Sequence, residues 1–149
     1  MRYDRGTYKK IGETCLCLSL RKASRSITKL YDEILKPSTL RATQLTVLAA
    51  IAVTEPATTS SLAEALVMDR TTLTRNLKPL KLQGLTRIIT GDDRRTRLIA
   101  LTPAGQRALD RALPLWERAQ KNMVEHLGQN RWNIILARLS DVTSSVEKD

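Results

Sequence analysis

The chain of 149 residues contains no phenylalanine, three tyrosines and two tryptophans. Its core must therefore be assembled from Leu, Ile, Val and Ala, a composition that suits helices. The single histidine, His126, leaves no Ser-His-Asp or Cys-His constellation to build, and no second imidazole for a metal site. It reads as a surface or interface residue. No glycine-rich phosphate loop and no metal-ligand cluster can be found, so catalysis is not expected, nor any cofactor. The two cysteines, Cys15 and Cys17, are too few and too close for a disulfide framework. No apolar run approaches the roughly 18 residues of a membrane span. Leu16 to Leu20 is too short for a signal peptide and is followed by Arg21-Lys22. A cytoplasmic protein with no membrane partner is the expectation. Acidic residues are also in deficit. Lys and Arg number 25 against 15 Asp and Glu, a net +10. Such an excess calls for a polyanionic partner, without saying which.

The periodicity is mostly helical. Leu16, Leu20, Ala23, Ile27, Leu30 and Ile34 recur at spacings of three and four, predicting a long amphipathic helix from Ile11 to Lys36, stopped by Pro37. The ten polar residues before it are expected to fray. A second helix is predicted from Ala42 to Val53. Ser61 and Glu64 have capping-box spacing for a short helix ending near Leu66. Asp69 is an N-cap for the next helix, Arg70 to Gln83, with Gly84 at its end and Pro79 loosening its last turn. Between Leu85–Thr90 and Leu98–Leu101 lies a glycine-led charged tip, Gly91-Asp92-Asp93-Arg94-Arg95-Thr96-Arg97, which reads as a β-hairpin. Thr102-Pro103 opens a helix to about Leu127, kinked at Pro114, and a last helix spans Asn130 to Val146. Trp116 and Trp132, on these helices, read as core or interface residues.

Helix, turn, helix and basic hairpin form the layout of a winged helix-turn-helix. The expected fold is mainly α with one small hairpin. Residues 42–102 form the winged module; 1–41 and 103–149 supply N- and C-terminal dimerisation helices, because their sustained apolar stripes must be buried somewhere. On the second helix of the pair, Arg70, Thr71, Thr74, Arg75 and Lys78 share one arc, whereas Leu73, Leu77 and Leu80 share another. Arginine can grip a guanine edge with two donors, and threonine can place its methyl on thymine. Arg70, Thr71, Thr72, Thr74, Arg75 and Lys78 are accordingly the candidate DNA contacts of this helix. Lys81 and Arg87 are candidate phosphate contacts. In the hairpin, Arg94, Arg95 and Arg97 are candidates for the narrow groove, with Asp93 paired to one arginine to hold the tip.

These residues resemble the MarR family of bacterial transcription regulators. Asp93-Arg94-Arg95-Thr96-Arg97-Leu98-Ile99-Ala100-Leu101-Thr102 is similar to the family's wing pattern, continued by Pro103-Ala104-Gly105. Asp69 to Arg75 resembles the start of its recognition helix, Gly84-Leu85 its end, and Gln44 also matches. The resemblance spans about residues 11–146. It implies a homodimer on a pseudo-palindromic duplex DNA operator, usually as a repressor released by a small anionic or phenolic effector or by cysteine oxidation. It also implies that effectors sit between the dimerisation helices and the winged module. Arg41 departs from the family, which more often has a capping threonine there.

Cys17 to Tyr31 is similar to the first helix of the organic-hydroperoxide-sensing branch. That resemblance implies a reactive thiol at Cys17 and a tyrosine partner at Tyr31 across the dimer. Arg21, one turn on, is a candidate counter-charge to a thiolate. The branch has tyrosines where this chain has Arg21 and the Ala42–Leu45 stretch, so most of that hydrogen-bond cage is missing. Cys15 and Cys17 therefore read first as small apolar fillers of a helix interface, with the thiol sensor as the alternative. Within one helix they point about 200° apart, so a disulfide between them would be strained. Besides repressor and thiol sensor, a winged module that binds protein or RNA remains a separate reading.

Overall fold

A computed structural model describes residues 3–93 and 95–146. The polar N-terminal segment is helical from Arg5, with Asp4 as its extended N-cap. Asp4 accepts hydrogen bonds from the Thr7 amide (2.8 Å) and hydroxyl (2.6 Å), and α1 runs Arg5–Thr14. The cap satisfies an amide that would otherwise fray the first turn. The single long helix expected from Ile11 is two helices. Cys15 is extended (φ −74°, ψ 110°), and its carbonyl takes both the amide and the hydroxyl of Ser19 at 3.0 Å, starting α2 at Leu16–Leu35. Pro37 lies in a 3₁₀ turn, Lys36–Ser38, as a helix stop should.

Helix α3 covers Ala42–Thr54. Arg41 brings no capping oxygen. Gln44 instead accepts from the Arg41 amide (3.0 Å), and Asp32 of α2 accepts from the Ala42 amide (2.7 Å). Helix α4 spans Thr59–Ala65 and begins earlier than the Ser61–Glu64 spacing suggests. Thr58 is its cap. The Thr58 hydroxyl accepts from the Ser61 amide (3.0 Å), and the Ser61 hydroxyl accepts from the Thr58 amide (3.1 Å). Val67, at φ 51°, turns the chain into α5, Arg70–Leu82. Gly84, at φ 68°, closes α5 by bonds from the Leu85 amide to Leu80 (2.9 Å) and from its own amide to Lys81 (3.0 Å). A left-handed residue there is inexpensive only for glycine.

The hairpin is β2, Thr86–Thr90, and β3, Arg97–Leu101. They pair antiparallel from Thr86 opposite Leu101 to Thr90 opposite Arg97. A two-residue strand, β1 at Ala57–Thr58, adds to the other edge of β3, giving the order β1-β3-β2. Helices α6, Pro103–Leu127, and α7, Gln129–Val146, complete the chain. Pro79 and Pro114 sit inside helices that continue past them.

The core is one cluster. Leu48, Ile51, Leu62, Leu73 and Leu80 are fully buried, and the cluster extends to Leu35 of α2 and to Ala108 and Ala112 of α6. It therefore crosses both boundaries drawn at 41/42 and 102/103. By contrast, Ile11, Leu16, Ile27, Leu113, Ile135 and Leu139 are exposed. No helix among the described residues is long and apolar enough to cross a membrane.

Candidate nucleic-acid interface

Helix α5 is positioned from both ends. Asp69 accepts from the Thr72 amide (2.8 Å) and hydroxyl (2.6 Å), which fixes the first turn. Those two bonds hold the Asp69 carboxyl below the usual carboxylate range. Leu73 and Leu80, fully buried, lock the helix onto the core. What remains outward is a groove of about 650 Å³ between α5 and the sheet. Arg70, Thr71, Thr74, Arg75 and Lys78 line one wall. Arg87 and Arg97 come from the strands, Lys81 from the end of α5, and the floor includes Leu77, Ile88 and Ile99. The ion pairs among the described residues lie at Lys9–Glu13, Lys36–Glu33, Lys121–Glu125 and Arg138–Asp141, so none engages a cation of this groove. Six cations thus face a common space with their charge unneutralised by side chains in those pairs, an arrangement suited to a polyanion.

Thr72 stands apart from this wall. Its hydroxyl donates to Asp69 and it is half-buried, so its place is in the cap. Thr74 donates its hydroxyl to the Arg70 carbonyl (2.7 Å) and leaves its oxygen lone pairs and methyl outward. At the wing tip, Asp93 holds the turn through backbone amides, and among the described residues no guanidinium pairs with it. Its side chain accepts from the Arg95 amide (3.1 Å), its carbonyl accepts from the Thr96 amide (2.8 Å), and Gly91 donates to Thr96 (2.9 Å). The Arg95 side chain is exposed. Arg94 lies outside the described residues. Thr59, in the first turn of α4, also lines the groove. Placing the cap at Thr58 would have revealed it in the sequence, since the Ser61–Glu64 spacing starts the helix too late.

The other candidate residues sit elsewhere. Cys15 is half-buried at the α1–α2 break, outside either helix, so the argument from helical spacing against a Cys15–Cys17 bridge does not apply. Cys17 is exposed in the first turn of α2, and Arg21 is exposed one turn later. The Tyr31 hydroxyl donates to Gln120 of α6 in the same chain, and burial raises its pKa above the ordinary phenol value. Tyr31 also lines a second, smaller cavity of about 330 Å³, walled by Ala42, Leu45, Thr46 and Ala49 of α3 and by Leu109, Leu113 and Trp116 of α6. His126 is exposed and bonds the Asn122 carbonyl through Nδ1 (2.7 Å).

Comparison with known proteins decides the family. An organic hydroperoxide resistance transcriptional regulator of Bacillus subtilis is 34% identical over 104 residues, covering 69% of this chain and 71% of that protein. The crystal structure of the M. tuberculosis transcriptional regulator MosR with DNA is 37% identical, with a TM-score of 0.77, covering 89% of this chain and 98% of that one. The chain belongs to the MarR family. It is a winged helix-turn-helix transcription regulator by that membership. An uncharacterized HTH-type transcriptional regulator of Bacillus cereus is 34% identical over 97 residues, 65% of each protein, so the match spans about two thirds of that relative. No family model matches the chain.

Proposed function

We propose that this MarR-family protein is a homodimeric repressor that binds a pseudo-palindromic duplex operator. In this reading α5 enters the major groove, where Arg70, Thr71, Thr74 and Arg75 read bases and Lys78 positions phosphate. Arg94, Arg95 and Arg97 of the wing serve the adjacent minor groove. The observation that carries the reading is the cationic groove between α5 and the sheet, whose arginines and lysines come from three elements. The exposed apolar side chains of α1, α2, α6 and α7 support pairing of two copies, since such stripes are otherwise left in water. The cavity between α2, α3 and α6 supports release by a small molecule. A gel-shift titration with the DNA upstream of its own gene tests the proposal. Steep weakening with added salt is expected, as counterions are recaptured. Salt-independent binding, or a preference for RNA or a protein partner, would replace it.

A thiol-based second reading is supported by the exposed Cys17 beside a helix break at Cys15. In it, an organic hydroperoxide oxidises Cys17 and the operator is released. The same titration after cumene hydroperoxide, with Cys17→Ser alongside, separates the readings. Release of wild type but not of the variant favours the thiol; retention of both leaves the cysteines as packing residues.

A further inference from the structure

Helix α5 has two flanks. Leu73 and Leu80 are buried in the core, Arg75 and Lys78 stand on the opposite arc, and Leu77 and Lys81 lie toward the sheet. Asn76, Pro79 and Gln83 share the remaining arc, on the side away from the sheet. With the start of α3 they wall a cavity of about 360 Å³. Arg41, Thr43 and Gln44 close it from the α3 side, and none of its lining residues is acidic. Gln44 turns its side-chain oxygen to the Arg41 amide (3.0 Å), which leaves its NH2 group to donate. Asn76 is held by a bond from its amide nitrogen to the Met68 sulfur (3.5 Å).

Arg41 is costly where it stands. It is the N-cap of α3, and the partial positive charge of a helix N-terminus disfavours a cation there. It does not serve as the cap, because Gln44 meets its amide and Asp32 meets the amide of Ala42. The first turn of α3 holds no acidic residue, and Arg41 enters none of the ion pairs among the described residues. An exposed guanidinium so placed gains only when an anion reaches it. With the first amides already bonded within the chain, side chains are what the cavity offers to a ligand. An α-helix in a major groove about 12 Å wide has a sugar-phosphate backbone along each flank. The cationic groove between α5 and the sheet lies toward one strand, and the cavity at Arg41 lies toward the other.

We propose that this cavity is a second phosphate site of the interface, in which Arg41 holds the DNA strand on the flank of α5 away from the wing. Gln44, Asn76 and Gln83 border that phosphate as amide donors. This assignment rests on the regulator reading above and adds a contact to it.

The test is Arg41→Ser, measured with the DNA upstream of the protein's own gene. Affinity should fall about fivefold or more at about 0.1 M salt, and the slope of log affinity against log salt should drop by about one for each copy bound. The melting temperature should hold or rise by about 2 °C, because serine caps a helix and the opposed charge is gone. A residue that only supported the fold would move stability and affinity down together. Arg41→Lys should keep the slope. Phosphate-ethylation interference compares Arg41→Ser with Arg87→Ala, and the two should lose signals on opposite strands of one half-site. Unchanged affinity and slope in Arg41→Ser would overturn the proposal, as would a melting temperature that falls with affinity, or signals lost by both variants on the same strand. Inorganic phosphate is the rival occupant. If it raises the melting temperature of wild type and not of Arg41→Ser while both bind duplex alike, the cavity takes free anions only and the proposal fails. Absence of duplex binding by the wild type removes the regulator reading and this site with it. Wild-type binding that Arg41→Ser leaves intact removes the site alone.

Discussion

Replacing Gly105 with alanine should destabilise the protein although alanine is the better helix former. Gly105 lies in the first turn of α6, and a Cβ built there falls 2.0 Å from the Leu85 carbonyl oxygen and 2.9 Å from its carbon. The obstacle is backbone, and it must retreat about 1.4 Å to reach ordinary contact at 3.4 Å. That carbonyl also accepts from the Thr102 amide (3.0 Å), while the Thr102 hydroxyl donates to Gly84 (2.6 Å). Retreat stretches both bonds, each worth about 1 kcal/mol net. Overpacking adds about 1–3 kcal/mol, and the helix propensity of alanine returns about 1. The net loss is about 3 kcal/mol, or a fall in melting temperature of about 10 °C for a chain of this size. Thermal denaturation followed by circular dichroism reads it directly. A Gly105→Ala protein melting within about 2 °C of wild type would refute the reasoning. The same contact sets where β2 leaves α5, so the wing should also be displaced and duplex affinity lowered in parallel.

Other expectations follow from the cap and the groove. Asp69→Ala should lower thermal stability and duplex affinity, and Asp69→Asn should retain most of both, because asparagine keeps a capping oxygen. The Asp69 carboxyl lies below its ordinary range, so its stabilising contribution is complete above about pH 4 and fades as pH falls through the lowered value. The protection of the Thr72 amide, its exchange rate relative to an unstructured amide at the same pH, should fall only in that acidic window, and a loss of protection already at neutral pH would contradict the cap. Lys78→Ala should weaken all duplexes alike and reduce the slope of log affinity against log salt by about one; an unchanged slope would remove Lys78 from the phosphate contacts. Thr74→Ala should reorder the ranking of operator variants in competition gel shifts, and an unaltered ranking would exclude it from base reading. Arg94→Ala should cost more than about tenfold in affinity at low salt, and unchanged binding would disprove the wing assignment.

Much of the candidate interface was legible because its signals are local. Asp69 three residues before Thr72, Gly84 at a helix end, and the charged run between two short apolar runs each carry their structural reason within a few residues. The apolar and cationic arcs of α5 follow from helical spacing alone. What escaped was non-local or masked. The break at Cys15 was invisible because the apolar spacing of α2 gives no sign of where the helix begins; the Ser19 bonds to the Cys15 carbonyl decide it. Strand β1 is two residues long and exists only because β3 has a free edge to pair with. The Tyr31–Gln120 bond joins residues 89 apart, and the Asp32 cap of α3 comes from the preceding helix. The smaller cavity likewise needs α6, distant in sequence, to close over α2 and α3, so no spacing rule could outline it.

The most direct test of the central claim is selection from a randomised duplex pool by the purified wild-type protein, followed by sequencing of the bound fraction. The account predicts enrichment of two inverted half-sites with centres about one helical turn apart, one for each α5 of a dimer. Enrichment of a single unpaired motif, or no enrichment over the starting pool, would contradict it.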